Sequence, residues 1–195
     1  TQAEALSYLS AMPPEGTQPE NMLGIPQAVE RIYWSIAHDE PIAIYGDYDV
    51  DGVTATALLN EVLESLGGRV RGYIPNRFEE GYGVNKDALD ALYAEGVRLV
   101  ITVDCGIRSP EEARHARQIG LDLIITDHHH PATEMPEALA VINPKQPGDT
   151  YPDQNLAGVG LAYKLAYALL EKAEPQRKQI IPSAQEYLDL VALGT

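Results

Sequence analysis

Basic residues are scarce in this chain: 14 lysines and arginines face 29 aspartates and glutamates, for a formal charge of −15 and a sequence pI near 4.6. A protein that grips a phosphate backbone through a basic surface carries the opposite balance. The surplus therefore reads in part as carboxylates clustered where a divalent cation neutralises them, and otherwise as a solvated acidic face. Cysteine is nearly absent, and Cys105 alone excludes an internal disulfide and fits a reducing cytoplasm. No apolar run approaches the roughly 20 residues of a spanning helix, while 45% apolar residues and a mean hydropathy of −0.20 suit a soluble globular core. Thr1-Gln2-Ala3-Glu4 has no basic start and no apolar stretch, so no secretory signal is expected. The opening on Thr1 rather than Met reads as a processed or excised fragment. Repeats and low-complexity tracts are missing too, which excludes solenoids and propellers.

What is present suits one α/β domain with a small extension, within 195 residues. Residues 1–24 read as a short helical segment followed by a Pro- and Gly-containing linker from Pro13 to Gly24, and residues 25–195 as the main domain. There, short apolar runs alternate with longer amphipathic stretches, the signature of βαβ units and a parallel sheet. Strands are expected at Ile42–Tyr45, Val70–Ile74, Leu99–Val103, Leu123–Thr126 and Ala140–Ile142. Helices are expected at Gln27–Ala37, Val53–Leu66, Lys86–Ala94, Pro110–Ile119, Leu156–Glu171 and Ala184–Leu193. Ser109-Pro110 marks a helix start, and Gly67-Gly68 and Gly120 mark helix ends.

Polar clusters follow three of these strands directly. In Gly46-Asp47-Tyr48-Asp49-Val50-Asp51-Gly52, three carboxylates at alternate positions repel one another unless a cation sits among them, and hard oxygen ligands suit Mg²⁺ or Mn²⁺. A solvated capping turn is the bland alternative. An EF-hand fails, because its closing Glu is missing and an apolar strand precedes the loop. Thr102-Val103-Asp104-Cys105-Gly106 is weak alone, since a lone Asp there is often a helix cap. Thr126-Asp127-His128-His129-His130-Pro131 holds three of the five histidines and offers a neutral metal ligand, an orienting partner and a phosphate or general-acid contact. Asp49, Asp51, Asp104 and His128 converge only if the strands are neighbours, which predicts a doubly wound sheet of order 2-1-3-4-5. Carboxylates and imidazole shared by two divalent ions suit in-line displacement at phosphorus.

Asp49-Val50-Asp51, Asp104 and Asp127-His128-His129 resemble motifs I, II and III of the DHH phosphoesterase family. The first loop, Asn76-Arg77-Phe78-Glu79-Glu80-Gly81-Tyr82-Gly83, Asn143-Pro144-Lys145, Leu156-Ala157-Gly158-Val159-Gly160 and Asp189 to Thr195 resemble its RecJ-like branch of single-strand nucleases. By that resemblance Asp49 and Asp104 would hold one metal, and Asp51, Asp104 and His128 the other, with Asp104 bridging. His129 would face the scissile phosphate, Asp127 would orient the histidines, and Asp47 would join the site directly or through water. Tyr45 stands where some relatives carry a histidine ligand. The run ending at Gly194-Thr195 stops short of an Asp that completes the metal shell in such proteins, and the DHH-associated domain is missing, so the fragment is expected to fold without being catalytically complete.

Three further features keep two readings each. Gly158-Val159-Gly160 suits a phosphate at a helix N-terminus or a tight, closely packed turn, with neither G-x-G-x-x-G nor a P-loop completed. Arg77 suits a phosphate contact or a surface ion pair, and Tyr82 suits base stacking or plain packing. The resemblance implies Mn²⁺- or Mg²⁺-dependent hydrolysis of single-stranded DNA, 5′ to 3′, in repair and recombination in the cytoplasm, with a single-strand-binding protein or helicase as partner and no membrane. The alternatives are a phosphoesterase of oligonucleotides, cyclic dinucleotides or pyrophosphate, and a non-catalytic binding module.

Overall fold

The computed structural model describes residues 15–76, 78, 81–175 and 180–195, together with Leu6 and Leu9. Five parallel strands, β1 (Ile42–Tyr45), β2 (Val70–Tyr73), β3 (Leu99–Val103), β4 (Asp122–Thr126) and β5 (Ala140–Ile142), lie in the order β2-β1-β3-β4-β5, the doubly wound order expected. The central strands read as unbroken apolar runs because helices cover both faces. Side chains alternate across the sheet, so Ile42 and Ile44 enter one core while Ala43 and Tyr45 enter the other.

The larger core receives α1 (Ile25–Ala37), α2 (Val50–Ser65) and α5 (Gly158–Lys172), and the smaller receives α3 (Lys86–Ala94) and α4 (Pro110–Ile119). A 3-10 turn at Ala184–Tyr187 leads into α6 (Leu188–Gly194), which packs on α2 and α5. One continuous C-terminal helix was expected there. The Ser183–Glu186 capping box instead closes a tighter first turn. Helix α2 begins at Val50 rather than Val53, because the Asp49 carboxylate accepts the Gly52 N–H at 2.9 Å and caps the helix.

The stretch read as a linker is packed from Thr17 onward. Tyr151 Oη and Lys164 Nζ donate to the Thr17 carbonyl at 2.6 and 3.0 Å. Met22 lies in the larger core with 1% of its surface exposed. The glycines and prolines thus mark irregular backbone against the body of the domain, while most of the first expected helix lies outside the described residues. Met22→Ala is expected to cost about 2–5 kcal/mol, the usual range for emptying a buried methionine site. Urea denaturation measures it, and a loss under about 1 kcal/mol would show that this segment contributes little to the core.

Candidate metal centre

The carboxyl ends of β1, β3 and β4 adjoin in the sheet, and each leads straight into one polar cluster. After β1 the chain turns so tightly that a Cβ on Gly52 would lie 2.6 Å from the Asp47 carbonyl, so only glycine fits. That turn places Asp47, buried at 5% exposure, beneath the half-exposed start of α2. After β3, Asp104 adopts φ 61, a left-handed conformation that costs a non-glycine residue roughly 1 kcal/mol or more. It is held there by its own N–H, which donates to the Thr126 carbonyl at 3.0 Å.

Two groups of ligand atoms result, each within 4.8 Å of one another: Asp47, Asp49 and Asp104, and Asp104, His128 and His129. Asp104 belongs to both. Its carboxyl is 2% exposed, and burial pushes it up to about 6, opposed by contact with His128 and reinforced by Asp51 and Asp49. His128 Nδ1 lies 3.1 Å from the Leu156 carbonyl, which can only accept, so Nδ1 carries a proton. Nε2 is thereby turned toward carboxylates, 3.1 Å from Asp104 Oδ1 and 3.7 Å from Asp51 Oδ2. Asp104 Oδ1 is shut off from solvent and has no hydrogen bond of good geometry. The short distance to Nε2 is therefore a juxtaposition of two electron-pair donors unless positive charge enters between them. A neutral imidazole facing converging carboxylates fits a divalent cation, and a protonated imidazole would be the same demand met by a proton.

Asp51 is placed differently. Its two oxygens accept the N–H groups of Gly158 and Val159 at 2.8 and 2.6 Å, so the start of α5 is occupied by a carboxylate of the protein itself. A Cβ on Gly158 would lie 2.8–2.9 Å from Asp104 side-chain atoms, which makes close approach the reason for glycine there. Gly160 would meet only the Leu156 side chain, at 3.4 Å.

His129 is held from behind. Asp127 Oδ1 receives its ring Nδ1 at 2.7 Å and its backbone N–H at 3.0 Å, while Oδ2 receives the Ile107 N–H at 2.9 Å. Burial alone would raise the Asp127 carboxyl, but these bonds outweigh it and hold the group below the ordinary carboxylate range. Bonding to Asp127 also raises His129, against its partial burial. Tyr82 stands edge-on to the His129 ring at 6.2 Å with Oη 3.4 Å from the Asp104 carbonyl, and burial followed by Asp127 raises its phenol well above the usual value. Tyr45 Oη donates to the Gly83 carbonyl at 3.0 Å and accepts from Asn85 Nδ2 at 3.1 Å, pinning the loop that carries Tyr82.

The structure thus gathers Asp47, Asp49, Asp51, Asp104, Asp127, His128, His129, Tyr82 and Gly158 at one sheet edge. Gly160 stands further into α5, and Arg77 lies outside the described residues. Sequence reasoning missed the Leu156 carbonyl and the Ile107 N–H, because backbone groups leave no residue-type signal. It also missed the Tyr45–Asn85 link, which joins residues 40 positions apart.

The family model for the DHH family, N-terminal domain, matches residues 41–195. The chain is 46% identical over 195 residues to the single-stranded-DNA-specific exonuclease RecJ of Bacillus subtilis (strain 168), covering 100% of this chain and 24% of that protein. It is 41% identical over 182 residues to RecJ of Escherichia coli (strain K12), covering 90% of this chain and 32% of that protein. The chain therefore spans about a quarter to a third of the length of these curated relatives. Among solved structures, the crystal structure of exonuclease RecJ bound to manganese superposes with a TM-score of 0.77 at 36% identity, over 89% of this chain and 43% of the other. RecJ from Thermus thermophilus in complex with Mn²⁺ gives 0.74 at 32% identity, over 94% and 25%.

The Asp127 geometry carries a pH-dependent consequence. Asp127→Asn keeps the shape and removes the charge, and is expected to cost about 1.5–3 kcal/mol near pH 6–7, the range for hydrogen bonds to a charged group. A carboxyl depressed in the folded state contributes stability above its unfolded pKa, and that stability is lost as pH falls through the folded value. The difference between wild type and variant in urea denaturation should shrink on acidification, and a gap that stays constant with pH would refute the charge argument.

Proposed function

The chain belongs to the DHH family, and from that premise we propose that it is the metal-binding catalytic domain of a 5′ to 3′ exonuclease that hydrolyses phosphodiester bonds in single-stranded DNA during repair and recombination. The observation that carries this reading is the convergence of Asp47, Asp49 and Asp104 on one side and of His128 Nε2 on the other, with the buried Asp104 common to both. The similarity to relatives named as single-stranded-DNA-specific exonucleases, and to RecJ structures described as holding manganese, supplies the substrate and the Mn²⁺ or Mg²⁺.

In this reading Asp49 and Asp104, with Asp47 beside them, would hold one ion, and Asp104, His128 and Asp51 would hold the second. When bound, such a pair supplies a water of lowered pKa and stabilises charge developing on the phosphoryl oxygens. The protein's own groups do the positioning. Asp51 keeps its oxygens aimed at the site while α5 holds them through two N–H groups. Asp127 accepts the His129 Nδ1 proton and raises the basicity of the ring, so that the imidazolium form carries a second proton on Nε2, which it would give to the departing oxygen and so return to the neutral ring. Tyr82, 57% exposed beside His129, offers a ring on which a base can stack. Arg77 remains a proposed phosphate contact. Gly158 makes room for Asp104 at the start of α5, and Gly158 and Gly160 remain proposed substrate-side positions. A single-strand-binding protein or a helicase would present the strand, in the cytoplasm. Among the described residues no helix is long and apolar enough to cross a membrane.

The acidic surface favours one competing reading, a phosphoesterase of small substrates, and a single experiment separates the two. The natural full-length protein, supplied with Mn²⁺, is expected to degrade a long 5′-labelled single strand faster than a dinucleotide. Asp104→Ala should lower kcat by about 10³-fold, since a metal contributes several kcal/mol and each 1.36 kcal/mol is tenfold. His129→Ala should lower it by about 10²–10⁴-fold, the range for a proton donor. Turnover of the dinucleotide alone would establish the small-substrate reading, and full activity in Asp104→Ala would mean that the metal cluster is not the catalytic centre.

A further inference from the structure

We propose that Asn143 and Lys145, in the turn that follows β5, are positioning residues for the imidazole pair: they hold the carbonyls of His129 and His128 and so fix where both rings face. The inference rests on the reading that Asp104 and His128 share a divalent cation. Residues 127–131 leave β4 without regular structure, so their backbone groups need partners from elsewhere. Side chains from two separate segments supply them. Lys145 Nζ donates to the His128 carbonyl at 2.5 Å, Asn143 Nδ2 to the His129 carbonyl at 2.9 Å, and Arg108 Nε to the His130 carbonyl at 2.9 Å. Three consecutive carbonyls are thereby gripped.

Asn143 is fully buried, and its other end accepts the Lys145 N–H at 2.8 Å. This Asx-type turn aims the lysine back at the loop. The amide orientation is unambiguous, because the His129 carbonyl can only accept and the Lys145 N–H can only donate. Pro144 between them needs no partner for a missing N–H. Strand β5 brings the turn close through its pairing of Ile142 with Thr126, and the Asp127 N–H reaches the Ile142 carbonyl at 3.2 Å. Among the described residues Lys145 takes part in no ion pair. In so acidic a protein, an ammonium spent on a backbone carbonyl beside His128 points to a purpose at that histidine. With its carbonyl held by Lys145 and its Nδ1 by Leu156, the His128 ring has little freedom left.

The test is Mn²⁺ binding, followed by the electron paramagnetic resonance of free Mn²⁺, in the natural full-length protein. Partners that orient a ligand typically contribute 10–100-fold in metal affinity. Asn143→Leu and Lys145→Met should therefore weaken the Mn²⁺ held by Asp104 and His128 about 10–100-fold, leave the Asp47–Asp49–Asp104 ion within about twofold, and keep Lys145→Met close to wild type in thermal unfolding. Lys145→Arg, which retains a long cationic donor, should recover most of the affinity. Unchanged affinities in folded variants would overturn the proposal, as would equal weakening of both ions in step with a falling Tm, the mark of a merely structural role. Should the buried Asn143 variant fail to fold, the two Lys145 variants decide alone. Wild-type protein that binds no Mn²⁺ would instead defeat the functional reading on which the proposal stands.

Discussion

A lone pair on His128 Nε2 pointing at the buried carboxylate of Asp104 is the constraint to which the rest of the structure answers. A neutral imidazole with its proton on Nδ1 and an ionised carboxylate have no hydrogen to share, so the contact needs a cation or an added proton between them. Juxtaposed acceptors at a buried carboxylate are costly, and positive charge between them removes the cost. The site is thus built as a demand for a cation, and the elevated Asp104 carboxyl is the same demand met by a proton.

Much of the surrounding architecture exists to hold that unfavourable arrangement. Asp104 tolerates a left-handed backbone because β4 holds its N–H. Helix α5 approaches within contact of Asp104 because residue 158 has no side chain, and its first N–H groups then bind Asp51. One helix start therefore serves as wall and clamp together. The interaction is favourable at both ends, since a carboxylate at a helix N-terminus is stabilised by the exposed N–H groups and the helix dipole.

The fold was legible in the sequence for a specific reason. Buried parallel strands are apolar on both faces, so Leu99–Val103 and Ile42–Tyr45 stand out as runs, and the order of the sheet follows from requiring Asp49, Asp104 and His128 to meet. Boundaries set by side-chain capping were harder to read, as at Val50, where a metal loop and a capping turn stood as alternatives and Asp49 both caps α2 and joins the carboxylate cluster. The packing of Met22 was hidden because glycine and proline signal irregular backbone equally well in a linker and in a buried strap. In the site, acidic and imidazole residues announced themselves by type. The Leu156 carbonyl, which decides the tautomer, and the carbonyl grips of Asn143 and Lys145 depend on three-dimensional proximity, and residue spacing does not encode that.

The acidic character of the chain fits the same logic. Arg31 bridges Glu40 and Asp122 near the amino ends of the strands, and Arg114, Arg117 and Arg71 pair with glutamates. The two described cations at the histidine loop, Arg108 and Lys145, are turned onto backbone carbonyls. Little basic surface on the described residues is left to neutralise a phosphate chain. For the single strand proposed as substrate, the positive charge at a phosphate would have to be imported and held by carboxylates. Negative charge concentrated at the carboxyl edge of the sheet is, on the proposed reading, the means by which an acidic protein would present cations to an anionic strand.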